Sequence, residues 1–312
     1  MTTFAFVFPG QGSQAVGMLD AWGGDAAVRQ TLQEASEALG EDVAKLIHAG
    51  PKEQLDLTTN TQPVMLTAGI ACYRAWLAET GRVPSVVAGH SLGEYTALVA
   101  AGALTLADAL PLVRFRAQAM QDAVPVGVGA MAAILGMDAQ AVREGCAEVA
   151  ASTGEVVEAV NFNDPKQTVI AGTKAGVEKA CELLKAKGAK RALPLPVSAP
   201  FHSSLMKPAA ERLKVRLAET SFAAPKIDVI DNVDVAVETD PAAIRDALYR
   251  QAFGPVRWVE TVQAIRARGV GHIIECGPGK VLAGMVKRID PDAVSATVLD
   301  PATLADVKGL LA

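Results

Sequence analysis

The sequence predicts an α/β fold in which a mostly parallel sheet is covered by helices on both faces and carries a smaller inserted subdomain. Short apolar runs alternate with helical patterns along most of the chain, which is typical of parallel sheets. One internal stretch follows a different order of elements. Half of the 312 residues are hydrophobic but only 4% are aromatic, so alanine, valine and leucine must provide most of the core packing.

The first part of the chain contains two strands, and the second strand leads into a glycine-rich turn. Residues 4–8 are an apolar run that ends at Pro9, which indicates a buried strand. A longer apolar helix ends at Gly81, and the strand after it runs into G-H-S-L-G at residues 89–93. The predicted elements are strands at 4–8 and 85–88, and helices at 28–39, 41–48, 62–80, from 93 through 101, and 106–122.

The stretch between residues 126 and 196 has an order of its own. Its predicted strands are 130–135, 156–161, 168–171 and 191–197, and its predicted helices are 139–151 and 174–187. The order βαββαβ is the ferredoxin-like pattern. Because α/β sequence lies on both sides of it, we expect a core formed by residues 1–125 and 197–312 and an inserted small subdomain at 126–196.

The rest of the chain returns to the alternation of helices and strands. The predicted elements are a helix at 203–220, a strand at 227–230, helices at 242–251 and 256–268, a strand at 272–276, and a final helix at 281–288. These elements complete the parallel sheet of the core.

Charge and cysteine content exclude several classes of function. The net charge is −5 and the pI is about 5.5, whereas nucleic-acid-binding domains are usually basic. No basic run adjoins an apolar helix, no apolar stretch reaches the ~18 residues of a membrane span, and the N-terminus lacks the basic region of a signal peptide. The four cysteines form no C-x-x-C pair, so we expect reduced thiols, no metal and a cytoplasmic protein.

The motif G-x-S-x-G at residues 89–93 follows a predicted strand and precedes a predicted helix. That context is the one a nucleophile elbow requires, because the serine must sit on a tight turn with small neighbours. The helix that follows favours negative charge at its N-terminus. We therefore predict that Ser91 is a nucleophile and that the N–H of Leu92, the next residue, helps to bind an oxyanion.

A serine nucleophile needs a base, and the chain has only four histidines. His48 ends a helix and is expected at the surface, and the side chain of His90 should leave its strand on a different side from Ser91. His202 lies in a loop at the junction of the two predicted subdomains, where sites tend to form. We choose His202 as the base, with His272 as the alternative because α/β-hydrolases place their histidine last.

A third, acidic residue is not required. Several aspartates lie between Ser91 and His202, but none has a distinctive context, and a dyad whose histidine is oriented by a backbone carbonyl needs no acid. Arg114 and Arg116 lie in an otherwise apolar helix, and spacing alone favours exposure of both to water. Gln11 follows the first strand, at the edge of a parallel sheet where ligands bind.

Taken together, these motifs resemble those of the bacterial malonyl-CoA:carrier-protein transacylases of type II fatty-acid synthesis. The resemblance runs nearly end to end. In chain order the motifs are F-V-F-P-G-Q-G-S-Q, G-H-S-L-G-E-Y, V-N-F-N, A-P-F-H, R-Q and E-C-G-P-G-K. The resemblance implies an α/β-hydrolase-like core with a ferredoxin-like subdomain, and an active site in the cleft between them.

The resemblance also implies a role for individual residues. Ser91 matches the acylated serine and His202 its base, while Gln11 and Leu92 match the oxyanion hole. Arg116 matches the residue that holds the malonyl carboxylate, in place of the exposed position that spacing favours. A further match is Gln251, whose carbonyl orients the histidine.

Some neighbouring positions resemble the family less specifically. Phe201 resembles the malonyl-selecting form of related acyltransferase domains, where a bulky ring leaves no room for an α-methyl group. Asn161 and Asn163 are expected only in the cleft wall.

The expected reaction is a ping-pong transfer of malonyl from coenzyme A to the phosphopantetheine thiol of acyl carrier protein, with no cofactor and no metal. We expect a monomer that binds neither nucleic acid nor membrane. Two alternatives remain open: a serine esterase or thioesterase, and a non-catalytic module that docks carrier protein. The basic residues Lys185, Lys187, Lys190 and Arg191 could contact an acidic carrier, although a solvated helix end is the favoured interpretation.

Overall fold

The structure, a computed structural model, describes residues 2–197 and 199–312. Met1 and Ser198, which fall within the predicted core ranges, lie outside the described residues. The described residues form nine strands in two sheets. The strands are β1 (Phe4–Phe8), β2 (Val86–Gly89), β3 (Gly129–Leu135), β4 (Val157–Asp164), β5 (Gln167–Thr173), β6 (Arg191–Pro194), β7 (Asp228–Ile230), β8 (His272–Cys276) and β9 (Val294–Val298).

Helices connect these strands and cover the larger sheet. The first six are α1 (Ala26–Leu39), α2 (Val43–Ala49), α3 (Lys52–Leu55), α4 (Thr58–Thr80), α5 (Gly93–Ala100) and α6 (Leu106–Asp122). They are followed by α7 (Ala139–Thr153), α8 (Lys174–Ala186), α9 (Lys207–Glu219), α10 (Pro241–Gln251), α11 (Trp258–Ala267), α12 (Val281–Ile289) and α13 (Pro301–Leu310). None of the helices in the described ranges is both long enough and apolar enough to cross a membrane.

The larger sheet has five strands in the order β7-β2-β1-β8-β9, and every pair is parallel. Its central strand β1 is buried along its whole length. The phenylalanines of β1 pack on one face of the sheet against Trp76 and Tyr73, while Ala5 and Val7 pack on the other face. Burial on both faces is what a parallel sheet covered by helices requires, so the predicted α/β architecture is confirmed.

The smaller sheet has four strands in the order β4-β5-β3-β6, and every pair is antiparallel. Helices α7 and α8 pack on one face with Val142, Leu184 and neighbouring apolar residues. The other face carries Met131 and Val169 and turns toward the larger sheet. A backbone hydrogen bond from Phe162 to the carbonyl of Val256, 2.9 Å long, ties β4 to the segment before α11.

Helix α4 begins earlier than the sequence indicates. The prediction starts at residue 62, next to Pro63, and proline is common in the first turn of a helix. In the structure the helix begins at Thr58 and Pro63 lies inside it. The hydroxyl of Thr61 donates to the carbonyls of Leu55 and Leu57. The first turn of α4 is therefore held by side-chain hydrogen bonds, which the hydrophobic periodicity of the sequence does not reveal.

The C-terminal prediction is incomplete, because the helix predicted at 281–288 is not the last element. Strand β9 and helix α13 follow it, and β9 pairs in parallel with β8 at the sheet edge. The alternation in β9 is weak, whereas α13 carries a recognisable signal, a capping box at Asp300 with Pro301 next to it. The short helix α3 is also absent from the prediction.

Two further boundaries differ from the prediction. The strand predicted at 191–197 ends at Pro194, because prolines at 194 and 196 cannot donate to a sheet. The helix predicted at 203–220 begins as a short 3₁₀ turn, Ser204–Met206, before α9.

Candidate active site

A pocket opens at the carboxyl-terminal edge of the larger sheet, where β1 and β2 end. Ser91, His202 and Arg116 line it on that side, and Met131 and Val169 of the smaller sheet line it on the other. The crevice beyond the carboxyl ends of parallel strands is where ligands bind in such sheets. The structure therefore brings the predicted nucleophile, base and arginine together in one cavity.

Ser91 lies on a strained turn between β2 and α5. Its φ of 54° is in the left-handed region, where a non-glycine residue costs about 1–3 kcal/mol. The turn is very tight, because a Cβ on Gly89 would lie 1.8 Å from the carbonyl carbon of Gly93. A Cβ on Gly93 would lie 2.1 Å from the carbonyl oxygen of Phe8. These two glycines are thus required for the backbone approach that exposes the serine hydroxyl.

The imidazole of His202 lies within hydrogen-bond distance of the serine. The distance between Ser91 Oγ and His202 Nε2 is 2.7 Å, and His202 Nδ1 donates to the main-chain oxygen of Gln251 at 2.9 Å. This second bond leaves Nε2 as the acceptor. Burial, and then the charge of Arg116, lowers the pKa of His202 to about 3, so the ring is neutral at pH 7. His202 Nε2 can therefore accept the hydroxyl proton of Ser91.

Arg116 is buried, with 2% of its surface exposed, which contradicts the exposure that spacing alone favours. Its Nη1 donates to Gln62 Oε1 at 2.9 Å, and its Nη2 donates to Gln251 Oε1 at 3.0 Å and to Ser91 Oγ at 3.3 Å. The guanidinium also lies over the ring of Tyr95, 5.4 Å from its centroid. Burial lowers the pKa of Arg116.

Arg116 and Arg114 differ in their ion pairs. Arg114 donates to both carboxylate oxygens of Glu41, at 2.7 and 2.8 Å, and 27% of its side chain is exposed. Within the described ranges, Arg116 forms no ion pair with a carboxylate. A buried cation with only neutral partners is costly. The pocket is therefore suited to an anionic ligand.

Two backbone N–H groups beside Ser91 are available to an oxyanion. Gly10 packs directly on the turn, since a Cβ there would lie 2.6 Å from the carbonyl oxygen of His90 and 3.8 Å from the nitrogen of Leu92. Gln11, the next residue, lines the same pocket as Leu92. In the part of the chain that the structure describes, the N–H groups of Gln11 and Leu92 donate no hydrogen bond. The side chain of Gln11 donates to Thr58 Oγ1 at 3.3 Å.

The other three histidines do not bond to Ser91. His90 Nε2 bonds to Asn163 Oδ1 at 2.8 Å, and its ring meets Trp258. His272 opens β8 and pairs with Phe4, at the end of the sheet opposite the turn, so the alternative base lies away from the site. His48 is exposed, as predicted, and in the structure it pairs with Asp20. Phe201, Asn161 and Asn163 line the pocket.

Sequence reasoning missed three buried polar residues of the site. Gln62, Glu94 and Asn232 each bond directly to a residue that the sequence did predict, or to its backbone. Signals for two of them exist: Glu94 is a charged residue in an otherwise mostly apolar helix, and Asn232 follows β7 at the same sheet edge. Gln62 follows four polar residues in α4 and has no such signal. Among the described residues, no group of three or more His, Cys, Asp or Glu could hold a metal ion.

Comparison with known proteins agrees with this geometry. Residues 5–303 match the model of the acyl transferase domain family. The malonyl CoA-acyl carrier protein transacylase of Escherichia coli strain K12 is 53% identical over 306 residues, covering 98% of each chain. That of Bacillus subtilis strain 168 is 48% identical over 305 residues, covering 97% of this chain and 96% of the other.

Solved structures give the same result. The acyl-carrier-protein S-malonyltransferase of Burkholderia pseudomallei 1710b has a TM-score of 0.96 and 69% identity, covering 98% of this chain and 99% of the other. A malonyl-transacylase in complex with a type II PKS acyl-carrier protein has a TM-score of 0.95 and 50% identity, covering 97% and 98%. The chain belongs to the acyl transferase family and, within it, to the group of malonyl CoA-acyl carrier protein transacylases.

Proposed function

We propose that this chain transfers the malonyl group from malonyl-CoA to the phosphopantetheine thiol of acyl carrier protein and so supplies extender units for fatty-acid biosynthesis. The relatives named above are malonyl CoA-acyl carrier protein transacylases or an acyl-carrier-protein S-malonyltransferase by name. The observation that carries the proposal is the convergence of three groups: Ser91 Oγ lies 2.7 Å from His202 Nε2 and 3.3 Å from Arg116 Nη2. A nucleophile, a base and an anion-binding group then act on one substrate.

In the first half of the cycle, Ser91 becomes acylated. Its Oγ attacks the thioester carbon of malonyl-CoA while His202 Nε2 takes the hydroxyl proton. The resulting oxyanion accepts hydrogen bonds from the N–H groups of Gln11 and Leu92, and one such donor typically contributes about 3 kcal/mol. The carbon–sulfur bond then breaks, and His202 returns the proton to the departing CoA thiolate.

The second half of the cycle reverses these steps with a different thiol. The phosphopantetheine thiol gives its proton to His202 and attacks the malonyl ester. The ester bond breaks, and Ser91 Oγ regains the proton from His202. Thioester, ester and thioester are close in free energy, so we expect no ATP, no metal ion and no other cofactor.

Arg116 is the proposed partner of the malonyl carboxylate. A guanidinium binds a carboxylate through two charge-assisted hydrogen bonds, which fix position as well as charge. The buried guanidinium already bonds to Gln62 and Gln251, so it is held in place before a substrate arrives. Gln251 has a second proposed role, because its main-chain oxygen orients His202.

We also propose the finer description of the fold. The core of residues 1–125 and 197–312 is α/β-hydrolase-like, which the parallel sheet and the turn at Ser91 support. The subdomain of residues 126–196 is ferredoxin-like, and the strand order β4-β5-β3-β6 supports it, because the two βαβ units interleave in that order.

The proposed setting is a cytoplasmic monomer that binds acyl carrier protein and a coenzyme A thioester, and neither nucleic acid nor membrane. Lys185, Lys187, Lys190 and Arg191 are exposed, and Lys187 pairs with Glu148. This pairing favours a solvated helix end over a dedicated docking patch.

The test is the intact mass of the protein after mixing with malonyl-CoA. We expect a malonyl adduct on the wild type and none on Ser91→Ala. His202→Ala should slow adduct formation by about 10³-fold or more, whereas its matched control His272→Ala should leave the rate within about threefold. Free malonate without an adduct, or a loss confined to His272→Ala, would instead favour the esterase.

A further inference from the structure

The proposed mechanism leaves one buried carboxyl group beside the nucleophile without a role. Glu94 lies three residues after Ser91 in helix α5, and only 2% of its surface is exposed. One of its oxygens, Oε2, accepts two hydrogen bonds: from the N–H of Asn232 at 2.9 Å and from Gln251 Nε2 at 3.0 Å. Both donors belong to residues that contact Ser91.

The first donor, Asn232, holds the nucleophile turn from both sides. Its Oδ1 accepts from the N–H of Ser91 at 2.7 Å, and its Nδ2 donates to the carbonyl of Gly89 at 2.7 Å. Asn232 is fully buried. Because Ser91 has a positive φ, the turn is strained and persists only where surrounding contacts over-determine it. Asn232 supplies two of those contacts.

The second donor, Gln251, joins the turn to the base and to the arginine. Its Nε2 donates to the carbonyl of Ser91 as well as to Glu94, and its Oε1 accepts from Arg116. Its main-chain oxygen accepts from His202 Nδ1. The two ends of an amide are not interchangeable, so an acceptor beside Nε2 directs Oε1 toward Arg116.

We propose that Glu94 is a positioning residue, whose Oε2 holds Asn232 and Gln251 and through them fixes Ser91, His202 and Arg116 with respect to one another. Glu94 does not contact the reacting atoms, so it acts through these two neighbours. This inference rests on the proposed transacylase function and deepens it. A misplacement of about 1 Å in such an arrangement can cost about 10²-fold in rate.

The surroundings of Glu94 show what a substitution must preserve. Burial, and then the charge of Asp231, raises the pKa of Glu94 to about 8, against the opposing effects of Gln251, Asn232 and Arg116. Glu238 lines the same small cavity as Glu94. The buried Tyr95 is the residue after Glu94 in helix α5. A neutral side chain with one acceptor oxygen therefore suits position 94 at pH 7.

The experiment compares two variants of similar size. Glu94→Gln keeps an acceptor oxygen, and Glu94→Met fills the volume without one. We expect Glu94→Gln to retain kcat within about threefold. We expect Glu94→Met to lose about 30- to 100-fold in kcat, with the KM for malonyl-CoA changed by less than about threefold. Acetyl-CoA should also lose rate, because the nucleophile and the base serve both substrates, and the loss for malonyl-CoA should be at least as large, because Gln251 also holds Arg116.

Asn232→Ala provides a second route to the same answer. It removes the bonds to the turn but leaves Glu94 and Gln251 in contact. If Glu94 and Asn232 hold the turn at Ser91 together, the fold-loss in kcat of the double variant Glu94→Met/Asn232→Ala should be smaller than the product of the two single losses. Should Glu94→Met fail to fold, Asn232→Ala and Glu94→Gln still test the proposal, because losses of similar size in both would contradict it.

Two outcomes would overturn the inference. Equal losses in Glu94→Gln and Glu94→Met would mean that the acceptor oxygen is not what matters. A loss that follows thermal stability, and that appears equally in Asp300→Ala, would mean that Glu94 only supports folding; Asp300 caps helix α13 and lines no part of the pocket. Adduct formation on the wild type separates either result from a failure of the proposed function.

Discussion

The two walls of the pocket differ in chemical character. The wall at the edge of the larger sheet, here called the core wall, carries Ser91, His202 and Arg116. The buried Gln251 lies behind them and bonds to His202 and Arg116. The wall formed by the smaller sheet and by the segment that follows β6, here called the small-sheet wall, is mostly apolar, with Met131, Val169, Leu195 and Val197. From this difference we expect the core wall to perform the proposed reaction and the small-sheet wall to shape the space around the acyl chain.

The same contrast extends to energetics. The core wall contains Ser91 and His202, both with positive φ, and a buried guanidinium without a carboxylate partner among the described residues. Each of these features costs free energy and persists only because its neighbours hold it. The apolar side chains of the small-sheet wall carry no such cost. Substitutions on the core wall should therefore reduce the rate or the recognition of the substrate carboxylate, whereas substitutions on the small-sheet wall should change the preference for acyl groups of different size.

The largest expected effect separates the two arginines of helix α6. Arg116→Ala should reduce malonyl transfer by about 100-fold, because a buried charge-assisted pair with the substrate carboxylate is lost. Acetyl transfer should fall by less than about fivefold, since acetyl has no carboxylate. The measurement is kcat/KM for both acyl-CoA substrates.

Arg114→Ala is the matched control, since Arg114 lies on the same helix and pairs with Glu41 at the surface. It should change neither rate by more than about twofold. Equal losses of malonyl and acetyl transfer in Arg116→Ala would show that Arg116 supports the core wall in general and does not recognise the carboxylate.

The next effect is on stability and follows from the buried base. His202 has a folded-state pKa of about 3, whereas an unfolded histidine titrates near about 6.5. As the pH falls, His202 of the unfolded chain is protonated before His202 of the folded chain. The contribution of the neutral His202 to the free energy of unfolding is therefore full above about pH 6.5 and is lost as the pH falls below it. Between about pH 7 and about pH 5, the wild type should lose about 2 kcal/mol more than His202→Gln. Urea unfolding of both proteins at the two pH values measures this difference in the free energy of unfolding.

His48 gives the opposite sign and serves as the control. Its bond to Asp20 raises the pKa of His48, so its contribution is present at low pH and is lost as the pH rises. His48→Gln should therefore not reduce the loss of stability in acid. The same acid sensitivity in the wild type and His202→Gln would mean that His202 is not held neutral by burial.

The sequence predicted the architecture well because periodicity and turn residues record it. The apolar run of β1, the elbow turn and the helix limits at Leu106 and Asp122 all follow from local patterns. Strand β9 was missed because its pattern is weak and its place depends on pairing with β8. Edge strands are stabilised by contacts distant in sequence, and such contacts leave little local signal.

The site residues divide in a similar way. Ser91 is marked by its turn motif and His202 by its place between subdomains, so both could be chosen from the chain itself. Arg116 could not, because its helix shows two arginines and only tertiary packing buries one of them. Asn232 and Glu94 were missed for the same reason, since their bonds to Ser91, Gly89 and Gln251 join segments far apart in sequence.

The smallest expected effect tests the small-sheet wall. Phe201 lines the pocket and packs against the apolar residues of that wall and against the main core. Phe201→Ala should raise the ratio of methylmalonyl to malonyl transfer by about tenfold, because one additional methyl group in an apolar pocket changes discrimination by about 1–3 kcal/mol. Malonyl transfer itself should stay within about threefold, since Ser91, His202 and Arg116 are all retained. Phe222→Ala, a buried phenylalanine that packs under Arg245 away from the pocket, should leave the ratio unchanged. An unchanged ratio in Phe201→Ala, or a loss of malonyl transfer as large as that in Arg116→Ala, would mean that the two walls do not divide reaction and selection between them.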